Sequence, residues 1–138
     1  MRATHLWIMI CGALMASTCC IRATPSQVLN SVPEPNDNEI RKIRTAEQWH
    51  NPYVMVHRDG YELILRDQSR TTIRMNLGEL EKALLKMPLE RWPLGRVVAV
   101  QENVIRSAGD DEKIAKNIEA LKRMLQSHKV RVDLWPTA

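Results

Sequence analysis

The chain has 138 residues, one domain's worth of sequence, and its 44% hydrophobic and 26% charged residues are ordinary globular values. Its 20 Lys and Arg against 16 Asp and Glu give a net charge of +4, spread in alternating sign rather than gathered in a stripe, which argues against a nucleic-acid partner. All three cysteines, Cys11, Cys19 and Cys20, lie near the N-terminus, which excludes a disulfide framework or a Cys-ligated zinc site in the rest of the chain.

Residues 1–22 read as a signal peptide. Arg2 supplies a positive start, residues 6–21 carry no charge, Ala16-Ser17-Thr18 is a small-residue stretch, and Arg22 ends the segment. A spanning helix needs about 20 apolar residues, so cleavage is favoured over a membrane anchor. Ala16, Cys19 and Ala23 are alternative residues before the cut, and lipid attachment at Cys19 or Cys20 stays open. Cleavage after Arg22 would leave 18 basic against 16 acidic residues, a net of +2. The expected location is exported, periplasmic or secreted, with membrane attachment only through the leader or a lipid.

Residues 23–48 predict a flexible linker. Pro25, Pro33 and Pro35 break up a mostly polar segment. Ile40, Ile43 and Trp49 allow a short amphipathic helix over 39–49 with Asn38 as its cap.

Residues 49–138 predict one small α/β domain. YVMVHR (53–58) and YELILR (61–66) are strand-like and flank Asp59-Gly60, a pair suited to a type I′ hairpin turn. That turn pairs Val56 with Leu63, Val54 with Leu65 and His57 with Glu62. Residues 71–75 predict a third strand, setting Leu65 against Ile73 and Leu63 against Met75. Asn76 and Glu79 form a capping-box pattern before Leu77, Leu80, Leu84 and Met87 at helical spacing, and Pro88 stops that helix. Residues 96–101 contain Val97-Val98-Ala99-Val100, apolar on both faces, as a strand covered on both sides requires. Asp110 and Asp111 can cap a second helix over 111–128 with a core face of Ile114, Ile118, Leu121 and Leu125. Residues 130–135 alternate as a half-wet strand. The predicted fold is a two-layer α/β sandwich, a mixed sheet of about five strands with two helices in the order β-β-β-α-β-α-β.

No catalytic constellation or metal motif stands out, and no cofactor is expected. His57-Arg58-Asp59 spells the kinase catalytic-loop triplet, but the other kinase motifs are absent and the Asp falls in a tight turn. His50, His57 and His128 lie at no metal-ligand spacing. Glu102, Arg106 and Asp110 are the candidate ligand-binding residues, because they follow the carboxyl end of the 96–101 strand, where ligands gather in open α/β sheets. Helix capping also explains Asp110. Trp92, Arg131 and Trp135 are candidate interaction residues, although either Trp can instead cover the edge of a small core.

Val54-Met55-Val56-His57-Arg58-Asp59-Gly60, Leu77-Gly78-Glu79-Leu80, the Val97–Val100 strand and the final helix with its 130–134 strand resemble the periplasmic domain of the ExbD/TolR biopolymer-transport family over residues 53–135. The wording of the C-terminal half also looks like uncharacterised exported bacterial proteins. The resemblance implies an envelope domain that binds a protein or a cell-wall component. The family's motor function rests on an aspartate in an uncleaved membrane helix, and residues 6–21 contain no acidic residue. The expected function is a non-enzymatic binding module of the envelope, with Arg131–Trp135 as an exposed edge. The alternative is a small enzyme or ligand-binding domain with its site around Glu102, Arg106 and Asp110.

Overall fold

The computed structural model describes residues 25–66, 71–105 and 107–136. The predicted signal peptide and Arg106 lie outside the described residues. The chain forms a mixed α/β fold around a five-stranded sheet ordered β3-β2-β1-β4-β5. The strands are β1 (Tyr53–His57), β2 (Gly60–Leu65), β3 (Thr71–Met75), β4 (Val97–Glu102) and β5 (Arg131–Leu134). Antiparallel pairing joins β1 to β2 and β2 to β3, whereas β4 runs parallel to both β1 and β5.

Helices α3 (Leu77–Leu85) and α4 (Asp110–Ser127) cover one face, as their apolar spacing predicts. Leu80, Leu84, Ile114, Ile118, Leu121 and Leu125 meet Val54, Val56, Leu63, Val98 and Val100 in the main core. Asn76 caps α3 through the expected capping box with Glu79. The N-cap of α4 is Gly109 at φ 87, not an aspartate; Asp110 instead folds its carboxylate back onto the Ser107 N–H at 2.8 Å. At the other end of α4, Lys129 takes φ 57 while the N–H groups of Lys129 and Val130 bond the carbonyls of Gln126 and Leu125. This is a Schellman-type stop with a lysine where glycine is usual.

The hairpin registers differ from the expected ones by two residues. Val54 faces Leu63 and Val56 faces Tyr61, while Leu63 faces Ile73 and Tyr61 faces Met75. The turn is Arg58-Asp59, both at negative φ, so it is not type I′; Gly60 opens β2 at φ 154. A Cβ on Gly60 would lie 2.9 Å from the Met75 carbonyl oxygen, so β3 can approach only a glycine there.

The expected linker is a folded part of the domain. Helix α1 (Pro25–Ser31) packs against α3, and Leu29 and Val32 are buried in the main core. Proline is well suited to the first turn of that helix, where no N–H is needed. The Pro33 carbonyl accepts from the Arg96 N–H at 2.8 Å, which fastens the segment beside the start of β4. The short helix α2 is Asp37–Ile40, capped by Asn36 rather than Asn38, and a 3₁₀ turn follows at Ala46–Gln48.

These elements bring a second, smaller core to the other face of the sheet. Trp49, Tyr53, Ile64, Val97 and Ala99 are buried together, with Ile40, Ile43 and Trp135 packed against them. Strand β4 is therefore covered on both sides, as its doubly apolar run predicts. Asn51 is buried beside it and fully used: its side chain donates to the carbonyls of Gly95 and Val97 and accepts from the Leu94 N–H. Among the described residues, no helix is long and apolar enough to cross a membrane.

Candidate functional site

The candidate interaction residues separate in the fold. Trp92 is 2% exposed and belongs to the main core, so it offers no surface to a partner. Trp135 is half-buried and covers the second core, edge-on to Trp49 at 5.7 Å and to Tyr53 at 6.2 Å, with its indole N–H on Asp133. Arg131 is tied to Asp37 by an ion pair, which joins β5 to α2. Arg131 and Trp135 both remain beside the outer strand of the sheet.

Of the candidate ligand residues, Glu102 and Asp110 line separate cavities. Glu102 shares a register position with Val56, whose face carries the helices, and lines a groove with Ile118, Glu119 and Lys122. Asp110 lines a different cavity, with His57 and Arg58. Arg106 lies outside the described residues. Asp110 is held below the usual carboxylate range, chiefly by the Ser107 N–H and then by Arg58, whose guanidinium lies 3.4 Å away. That carboxylate ties the β1–β2 turn to α4 through one short hydrogen bond and one long contact.

A polar cluster that the sequence spacing does not reveal surrounds His57. The ring is buried, its Nε2 lies 2.8 Å from a Glu62 carboxylate oxygen, and its Nδ1 lies 3.1 Å from Arg74 Nη2 and 3.0 Å from Asn103 Nδ2. A guanidinium can only donate, so Nδ1 accepts and the ring proton sits on Nε2, toward Glu62. With its basic nitrogen already bonded to Arg74, His57 is poorly placed as a general base. Asn117 reinforces the corner by donating to the carbonyls of His57 and Arg58, and its own carbonyl accepts from the Tyr61 hydroxyl. The four contributing residues, 57, 62, 74 and 103, come from four places in the sequence, and only the alternation of His57 and Glu62 hinted at any of it. Among the described residues, no group of three or more His, Cys, Asp or Glu could hold a metal ion.

Compared with known proteins, the chain matches no family model, no curated protein and no solved structure.

Among the described residues of the two outer strands, Leu134 on β5 is more exposed than Ile73 on β3, at 57% against 45%. Leu134 borders three depressions. One, about 420 Å³, has Val100, Ile118, Leu134 and Pro136 in its walls together with Glu102, Glu119 and Lys122. A second runs along Val130, Val132 and Leu134 between Lys122 and Arg131. The third lies on the other face, against Ile40, Ile43 and Trp135. In a parallel pair, alternate residues bond to the neighbouring strand. The N–H groups of Arg131 and Trp135 donate at 2.9 Å to the carbonyls of Arg96, just before β4, and of Val100 within it, so the backbone groups of Val132 and Leu134 are directed to the outside of the sheet.

Proposed function

We propose that this chain is an exported, non-enzymatic binding module of the cell envelope, and that it takes an extended segment of a partner protein along β5. The observation that carries this reading is Leu134, an exposed leucine on an edge strand with apolar depressions on both faces. An added strand would gain main-chain hydrogen bonds from the outward backbone of Val132 and Leu134, and its alternate side chains would enter the depressions.

The charges beside β5 favour a peptide of particular polarity. Arg131 lies at its beginning, and Glu102 and the Glu119–Lys122 ion pair line the groove toward its end. The matching segment is apolar at alternate positions and acidic where it meets Arg131. The leader pattern in residues 1–22 and the likeness of residues 53–135 to envelope domains support the location.

A photo-crosslinking residue in place of Leu134, introduced into the full chain in its native envelope, tests the reading. The expected product is a crosslink to one extended segment of another protein. A synthetic peptide of that segment should then slow amide exchange at Val132 and Leu134, and Leu134→Lys should weaken it at least tenfold. Crosslinks only to a second copy of the chain or to glycan, or a peptide that leaves those two amides unprotected, would overturn the proposal.

A further inference from the structure

A cavity lies at the carboxyl ends of β1 and β4, on the corner of the sheet away from Arg131. It measures about 260 Å³ and its walls are almost wholly polar. Among the described residues, two cations and two anions line it: Arg58 and Asp59 from the β1–β2 turn, Arg74 from β3 and Asp110 from α4. They pair loosely, Arg58 with Asp110 at 3.4 Å and Arg74 with Asp59 at 3.9 Å. A well-made charge-assisted hydrogen bond is about 2.7–2.9 Å long, and a guanidinium carries five N–H donors, so these contacts leave much of each arginine's donor capacity for a ligand.

We propose that this cavity binds a small free α-amino acid as its zwitterion. A purely anionic ligand would meet Asp59 and Asp110 along with the arginines, and a purely cationic one would meet the reverse. A zwitterion satisfies both pairs at once, its carboxylate between Arg58 and Arg74 and its ammonium on the carboxylates. The size is below the roughly 300–1,000 Å³ of drug-sized pockets. With polar walls, that selects an amino acid with little or no side chain. The frame is already fixed: His57 holds Arg74, Ser107 holds Asp110, and Asn117 holds the turn that carries Arg58. Such pre-ordering lowers the entropic cost of binding.

The test is a titration of the isotopically labelled full chain with glycine, glycine ethyl ester and N-acetylglycine, followed by amide chemical shifts. Glycine should shift residues 57–59, 74, 103 and 110 with saturation in the roughly millimolar range, and each blocked analogue should bind at least tenfold more weakly. Arg74→Gln and Asp59→Asn, both at largely exposed side chains, should each weaken glycine at least fivefold, whereas Leu134→Lys should leave it unchanged. Equal binding of either analogue, or no saturable shift at that corner, would overturn the proposal.

Discussion

Gly95 presses against the backbone of Glu34. A Cβ built on Gly95 would lie 2.3 Å from the Glu34 carbonyl oxygen, and the residue sits at φ 83. The N-terminal segment therefore reaches the start of β4 through a gap only glycine can leave. Gly95→Ala meets both a clash with backbone and an unfavourable φ, whereas Gly109→Ala, at φ 87 with nothing within 4 Å of the added carbon, meets only the second. The left-handed cost is about 1–2 kcal/mol per non-glycine residue. Chemical denaturation should show Gly109→Ala losing about that amount and Gly95→Ala clearly more. Equal losses would mean that the segment yields without cost.

The converse substitution should stabilise the chain. Lys129 holds φ 57 at the end of α4. Lys129→Gly removes that strain and keeps the two closing hydrogen bonds, so stability should rise by about 1 kcal/mol. A loss of stability in the urea midpoint would show that the lysine side chain contributes more than its backbone costs.

Residues 25–36 belong to the folded body, and deleting them should be severe. Leu29 and Val32 are 3% and 1% exposed. Leu29→Ala alone should cost about 2–5 kcal/mol, the range for a buried leucine. A chain beginning at residue 37 should lose its sharp unfolding transition by circular dichroism. An unchanged transition would restore the segment to the status of a tether.

Acid should weaken the fold through Asp110 and Asp37. Asp110 is held below its ordinary 3.8 mainly by the Ser107 N–H, and Asp37 by Arg131. A carboxylate lowered in the folded state stabilises it at pH values above 3.8, and that contribution is lost as pH falls through the folded value. The stability gap between the parent chain and Asp110→Asn should therefore be constant near neutrality and narrow below about pH 4. A gap that stays constant on acidification would remove this carboxylate as a source of acid sensitivity.

The tautomer of His57 is open to direct measurement. Nitrogen-15 shifts of the imidazole should report an unprotonated Nδ1 and a protonated Nε2, because Arg74 donates to the first and Glu62 accepts from the second. The reverse pattern would place Arg74 elsewhere in solution.

Much of the architecture was legible because apolar spacing dictates which faces are buried. The hairpin residues even kept their predicted faces despite pairing two positions away from expectation, since a shift of two preserves the pleat and only an odd shift reverses it. The turn itself was misread: Gly60 is needed for the approach of Met75 rather than for a type I′ corner. The N-terminal segment was misread because its prolines and polar residues outweigh one apolar pair, Leu29 and Val32, at helical spacing. The second core was hidden because Trp49, Ile40 and Ile43 find Val97 and Ala99 only through the tertiary fold. The His57 cluster was hidden for the same reason. Arg74 and Asn103 are brought to its ring by strand order, which local sequence does not encode.

The place of β1 between β2 and β4 has a consequence for how the chain must be built. Its hairpin partner follows within a few residues, but β4 emerges about 40 residues after β1 ends. During synthesis β1, β2 and β3 are complete before β4, so the edge of β1 at Val54 and Val56 has no partner strand until then. That side is a template for the wrong strand until β4 arrives. A chaperone that shields residues 53–57 for this interval would raise the yield of the native protein more than one that acts on the finished sheet.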